Sequence, residues 1–217
     1  MNQIVIIGAG DFGRETANVI ERINAAAAEP VWELLGFADD DPSVQGTKID
    51  GYPVIGTIAS LNQAAQECFA VCSLGVAATR KKVLDKITNP HIRFATLIDP
   101  EAHLYKGVSV GEGSIICGGT VLAINVSVGN HVVINLNCTL GHDAVIGACS
   151  VINPGVNISG KVTVGCCSNL GTGSKIIQGL KIGENTTVGA GAVVIRDLPE
   201  NCTAVGSPAK PIKYHAS

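Results

Sequence analysis

From Ile98 to Val194 every sixth residue is Ile, Leu or Val, and the next step, Glu200, ends the series. Two residues before these aliphatics stands a small or β-branched side chain in almost every hexad, as at Thr120, Val126, Val132, Cys138, Ala144 and Ser150. The residue just after the aliphatic is often glycine, as at Gly129, Gly141, Gly147, Gly165 and Gly171. A helix repeats its face every 3.6 residues and a strand every two, so a strict period of six belongs to neither alone. It marks a hexapeptide repeat. One aliphatic per hexad points inward on a short strand, followed by a tight turn that glycine eases. Three such strands close one triangular coil of eighteen residues, so the run predicts between five and six stacked coils. No insertion breaks the register, so any chemistry in this segment must come from its turns and faces.

The first third of the chain follows another pattern. "QIVIIG" reads as a buried strand, "GRETANVIERINAAAA" as a helix, "VWELLGFADD" as a strand and "ASLNQAAQE" as a helix. "FAVCSLG" reads as a strand and "ATRKKVLDKI" as a helix ending near residue 88. Strands alternating with helices imply a parallel sheet with helices packed on it. The expected organisation is an α/β domain with a Rossmann-like parallel sheet over residues 1–90, then a parallel β-helix domain with a C-terminal tail over residues 91–217.

Composition narrows the function. The 217 residues are 46% hydrophobic but only 4% aromatic, which suits a narrow axis filled by Val, Ile, Leu and Ala. The formal net charge is −3 and the densest basic run is Arg80–Lys82, so nucleic acid is not an expected partner. The apolar start is too short for a signal peptide, and no stretch reaches the roughly 20 apolar residues of a membrane span. A cytoplasmic protein without membrane contact is expected. The eight cysteines form no CxxC pair, which predicts small fillers in a reducing compartment and no metal. His91, His103 and His131 have no chemically meaningful spacing.

Two stretches carry candidate chemistry. "GAGDFG" places Gly8, Gly10 and Gly13 between a strand and a helix, where the main chain can approach a phosphate and the helix N-terminus favours an anion. Asp39 and Asp40 end the second strand, where a dinucleotide fold keeps the acid that meets a ribose. No residue set for hydride transfer follows, which argues against an oxidoreductase. Arg80, Lys81 and Lys82 read as a solvated helical face. In "CTLGHDAVIG", His142 and Asp143 fall between inward Leu140 and Ile146, at a turn. Histidine titrates nearest neutral pH, and an adjacent carboxylate fixes its tautomer and favours the imidazolium. The pair has the composition of a general base and its orienter; the plainer alternative is a solvated turn. Asn135 lies in the preceding turn region, with Asn153 eighteen residues on along the same face; an Asn ladder satisfying turn main chain is the alternative.

The hexad run followed by "VGSPAKPIK" resembles the hexapeptide-repeat acyltransferases. "VIIGAGDFGRE", "GFADDDP", "SLGVAATRKK", "LIDPEA", "HDAVIG", "NPGVNISGKVTVG" and "GSPAK", in that order, resemble the sialic-acid O-acetyltransferase-like group, which includes bacterial nucleotide-amino-sugar N-acetyltransferases. The resemblance implies a left-handed β-helix, opposite to the usual right-handed crossover rule, and a homotrimer with sites between subunits. It also implies acetyl-CoA as co-substrate, no metal, and a nucleotide-linked amino sugar as acceptor in bacterial surface-glycan biosynthesis. His142 matches the catalytic base, Asp143 its acidic neighbour and Asn135 a residue near the acceptor. Gly10, Asp11 and Phe12 would face the sugar or diphosphate, Asp39 and Asp40 the base or ribose, with Gly75 close by; Phe12 stands where relatives frequently have His. Thr172 and Ala190 would meet CoA through the main chain, and Lys210 a CoA phosphate. Val151 stands where many relatives carry a second His at the acetyl-CoA end. Two other readings are O-acetylation of a sialic-acid-type sugar and a non-catalytic nucleotide-sugar-binding subunit.

Overall fold

The computed structural model describes residues 1–215, and the chain divides into two compact units, Met1–Gly75 with Thr79–Pro100, and Val76–Ala78 with Glu101 onward. The elements before the hexads are β1 (Asn2–Ile7), α1 (Asp11–Ala26), β2 (Trp32–Ala38), β3 (Lys48–Ile49), β4 (Tyr52–Gly56), β5 (Cys68–Cys72), α2 (Ala77–Leu84) and β6 (Ile92–Phe94). Strands β1 to β6 form one sheet in the order β3-β4-β2-β1-β5-β6, parallel except for the β3–β4 pair. The unbroken run Ile4–Ile7 is fully buried, as a central parallel strand covered on both faces requires. Helix α1 turns Thr16, Ala17, Val19 and Ile20 inward. A Cβ at Gly13 would collide with the Gly8 carbonyl, so glycine there lets α1 approach the turn that follows β1.

Several local expectations are corrected. The segment read as a helix from Ala59 is a 3-10 turn at Ile58–Gln63, and α2 stops at Leu84 rather than near residue 88. Asn62 ties these ends together: its Nδ2 donates to the Lys86 carbonyl at 2.8 Å and its Oδ1 accepts from Thr88 N at 2.9 Å. These bonds serve main-chain groups that a longer helix would have used. Arg80 is not on a solvated face. It is fully buried, and its Nη2 donates to the Leu74 carbonyl at 2.9 Å, anchoring the loop after β5. The β3–β4 hairpin is an addition, turned by Asp50 and Gly51, both at positive φ (48° and 90°). An Asp-Gly pair in that conformation is a type I′ hairpin signal.

The hexads form a left-handed parallel β-helix of two-residue strands, stacked as three ladders. One ladder holds Ile115–Ile116, Val133–Ile134, Val151–Ile152, Asn169–Leu170 and Thr187–Val188, and a second runs from His103–Leu104 to Val193–Val194. The third runs from Ser109–Val110 to Lys181–Ile182. Strands pair in register eighteen residues apart, as Leu122 with Leu140 and Leu140 with Ile158. The aliphatic of each hexad and the small residue two positions earlier fill the axis. Cys138 is one of those fillers: burial first of all pushes its thiol up to about 11. The first step of the series differs, since Leu97 is fully buried and Ile98 is 36% exposed. The hairpin Cys202–Val205 and Lys210–Tyr214 extends the first ladder beyond the last hexad. Among the described residues no helix is long and apolar enough to cross a membrane.

The glycines after the aliphatics serve closeness of approach rather than turn conformation. A Cβ at Gly147 would lie 2.5 Å from Cys166 N, and one at Gly141 would run into the main chain of Ser159 and Gly160 in the next coil. The left-handed residue of each corner stands two positions later, as at Asn125, Asn137, Asp143 and Lys161, with φ between 56° and 60°.

Candidate active site

The β-helix puts His142 and Asp143 at the corner between strands Thr139–Leu140 and Val145–Ile146. Rigid walls flank them. The main chain around Asp143 is held by its N–H to the Ile124 carbonyl at 3.0 Å, and the His142 carbonyl accepts from Lys161 N at 2.8 Å. Side chains of both residues face outward, 53% and 44% exposed. His142 Nδ1 lies 2.9 Å from Asp143 Oδ2, and Asn125 Nδ2 donates to Asp143 Oδ1 at 3.1 Å. The His142 hydrogen bond, then Asn125, then the His142 and Lys161 charges hold the Asp143 carboxyl below its ordinary value, with desolvation opposing them. An ionised carboxylate only accepts, so Nδ1 carries the proton of the neutral ring. That leaves the Nε2 lone pair for a substrate proton.

The coil above makes the room. Gly160 stands eighteen residues after His142, and a Cβ there would lie 2.5 Å from Nε2 and 2.7 Å from Cε1. Gly160 and Asn125 were missed in the sequence, although the eighteen-residue stacking period already places them beside the pair.

Other candidates lie elsewhere. Asn135 begins the preceding corner, not the His142 corner. Its Oδ1 accepts from Leu136 N at 2.7 Å, while Asn153 one coil on donates to Asn169 Oδ1 and the Leu170 carbonyl, both at 2.8 Å. The Asn153 contacts make it part of an Asn ladder. Thr172 and Ala190 stack on that same preceding corner, both exposed, with the Thr172 carbonyl accepting from Gly191 N at 2.8 Å. Lys210 is exposed at the start of the last strand. Val151 is 1% exposed between Val133 and Asn169, so its side chain has no surface to offer a cofactor.

In the N-terminal sheet, β1 lies between β2 and β5, the point where strand order reverses and where such sheets form a crevice beyond their C-terminal ends. Gly10, Asp11 and Phe12 follow β1, Asp39 and Asp40 follow β2, and Gly75 follows β5, so all six reach that end. Gly10 is the exposed N-cap of α1, with no side-chain cap, and a Cβ on it would meet nothing within 4 Å. Asp11 is fully exposed and Phe12 half-buried. The two acids already serve the main chain: Asp39 accepts from Ala9 N at 2.7 Å and Asp41 N at 2.9 Å, and Asp40 from Ile58 N at 2.9 Å. They brace the crevice loops and keep part of their acceptor capacity.

Known proteins are similar to this chain in sequence and fold. The family model of the PglD N-terminal domain matches residues 3–87. The acetyltransferase domain of PglB from Neisseria gonorrhoeae FA1090, solved in complex with acetyl coenzyme A, is 31% identical with a TM-score of 0.86, over 98% of this chain and 100% of that one. PerB from Caulobacter crescentus, solved with CoA and GDP-perosamine, is 30% identical with a TM-score of 0.84, over 98% of both chains. The GDP-perosamine N-acetyltransferase of Escherichia coli O157:H7 is 28% identical over 125 residues, 58% of this chain. The match spans just over half (55%) of that curated relative's length. Fold, corner and comparisons together define a hexapeptide-repeat acyltransferase. Within that class, the chain belongs to the family of nucleotide-amino-sugar N-acetyltransferases.

Proposed function

We propose that this protein transfers acetyl from acetyl-CoA to the amine of a nucleotide-linked amino sugar, with His142 as general base. The observation that carries the reading is the 2.9 Å His142–Asp143 contact on an exposed corner, which leaves Nε2 as the acceptor. The neutral amine attacks the thioester carbonyl carbon while Nε2 takes a proton from the amine nitrogen. The C–S bond then breaks, the sulfur takes the proton back from the imidazolium, and amide and CoA thiol leave. Among the described residues no Ser hydroxyl or Cys thiol is hydrogen-bonded to His142 to serve as an acyl carrier, so the reading takes transfer as direct. The N-terminal crevice, with Gly10, Asp11, Phe12, Gly75 and the braced Asp39 and Asp40, would hold the nucleotide sugar. Thr172, Ala190 and Lys210 would meet CoA. The first unit, which runs to Pro100 rather than ending at the expected residue 90, would serve the nucleotide sugar, and the β-helix the acetyl transfer. A homotrimer in the cytoplasm fits the reading, because His142 and the Thr172–Ala190 corner lie on different edges of one β-helix.

Thiol release from acetyl-CoA, measured against a panel of UDP-, GDP- and dTDP-linked amino sugars, tests the reading. One amino sugar should give stoichiometric thiol and a product 42 mass units heavier (about the mass of an acetyl group less one proton) that resists hydroxylamine. A hydroxylamine-labile product would mean O-acetylation, and no release with any acceptor a non-catalytic role.

Gly160→Ala is a sharper probe of the corner. Gly160 has no left-handed φ, so alanine suits its main chain, but the ring must retreat about 1 Å to reach ordinary contact. A shift of that size can cost about 10²-fold in rate. The expected result is kcat lower by about 10- to 100-fold at unchanged thermal stability, read by steady-state kinetics and a melting scan.

A further inference from the structure

We propose that Asn125 is a positioning residue for His142, acting through Asp143. Asn125 and Asp143 occupy the same left-handed corner position on consecutive coils, with φ of 60° and 59°. Their main chains are pinned by Asn125 N to the Lys106 carbonyl at 3.1 Å and Asp143 N to the Ile124 carbonyl at 3.0 Å. The Asp143 carboxylate is therefore held at two points: Oδ1 by Asn125 Nδ2 at 3.1 Å, Oδ2 by the imidazole at 2.9 Å. A carboxylate held by the imidazole alone, about half exposed, would rotate freely and trade its hydrogen bond with water. The amide of Asn125 faces one way, since only its NH2 can meet an ionised carboxylate. Its Oδ1 lies over Gly107 in the coil before, where a Cβ would collide with it. Gly107, Asn125, Asp143 and His142 thus form one line along the edge of the β-helix, and Asn125 keeps the ring in the tautomer that exposes Nε2.

The inference rests on His142 being the base, so the experiment includes His142→Ala beside Asn125→Gly and Asn125→Asp. Glycine and aspartate both accept the left-handed corner, so a residue needed only for the turn would tolerate either. Glycine removes the donor; aspartate replaces it with a like charge. The expected result is kcat lower by about tenfold in both variants, with KM for each substrate within about twofold of wild type. Imidazole 15N spectra should show His142 moving from the Nδ1–H tautomer towards a mixture, with the melting temperature unchanged. Full kcat and an unchanged 15N signature in both Asn125 variants, with His142→Ala inactive, would overturn the role of Asn125 and leave the base assignment standing. Full kcat in His142→Ala would overturn both.

Discussion

His142→Ala is expected to lower kcat by about 10²- to 10⁴-fold, the usual contribution of a positioned proton acceptor, with KM for both substrates little changed. Three features of the corner set this size. No other described imidazole, and no thiol, is bonded to Asp143, so no side chain stands ready to take over the proton. The strands on either side are paired in register above and below, which keeps a vacated corner from collapsing into a new arrangement. The side chain is about half exposed, so its loss removes little packing and the melting temperature should hold. Steady-state thiol release with the preferred acceptor, beside a melting scan, checks all three. A variant with full kcat would end the assignment of His142.

The largest expected effect on stability comes from Ile146→Ala. Ile146 is 1% exposed and sits in the axis between Val128 and Val164 of the adjoining coils. The axis is a close-packed column of aliphatics, and a void there has no flexible neighbour to fill it. Removing an isoleucine to alanine in such a place costs about 2–5 kcal/mol, and for a chain of this length the melting temperature should fall by about 5–15 °C. The adjacent Val145 is as apolar in sequence but 42% exposed, and Val145→Thr should stay within about 0.5 kcal/mol. Equal losses in the two variants would mean that the inward and outward assignment of this strand is wrong. Both melts should be run at matched protein concentration, because subunit association would add a concentration-dependent part to the stability.

Much of this architecture was legible along the chain. The period of six is a property of residue order, and it survives because every inward position must fit the same narrow axis. Local chemistry was less legible where two signals competed. Asp50-Gly51 is a hairpin signal, but the short strands it joins carry little apolar pattern of their own. Arg80 looked solvated because Lys81 and Lys82 follow it, yet the loop after β5 offers a carbonyl that makes its burial tolerable. Val151 stands at a motif position that in many relatives serves the acetyl-CoA end, and its burial on the ladder with Val133 leaves its side chain no surface there.

By itself, residue order determined the repeat, its inward face and the placing of His142 and Asp143 together at a turn, because each depends on spacing within one coil. The tertiary structure decided what stands against them. Stacking brings Asn125 to one carboxylate oxygen and opens the Gly160 side for the ring, and those contacts depend on side-chain direction across coils. The period of six had already set Asn135, Thr172 and Ala190 on another edge than His142, since one strand of the triangle lies between adjacent corners. A six-residue period places residues on the same edge or on different ones. Only the packed coil decides which neighbours on an edge touch, because hydrogen bonds and close contacts are set by distances of a few ångströms that no spacing rule contains.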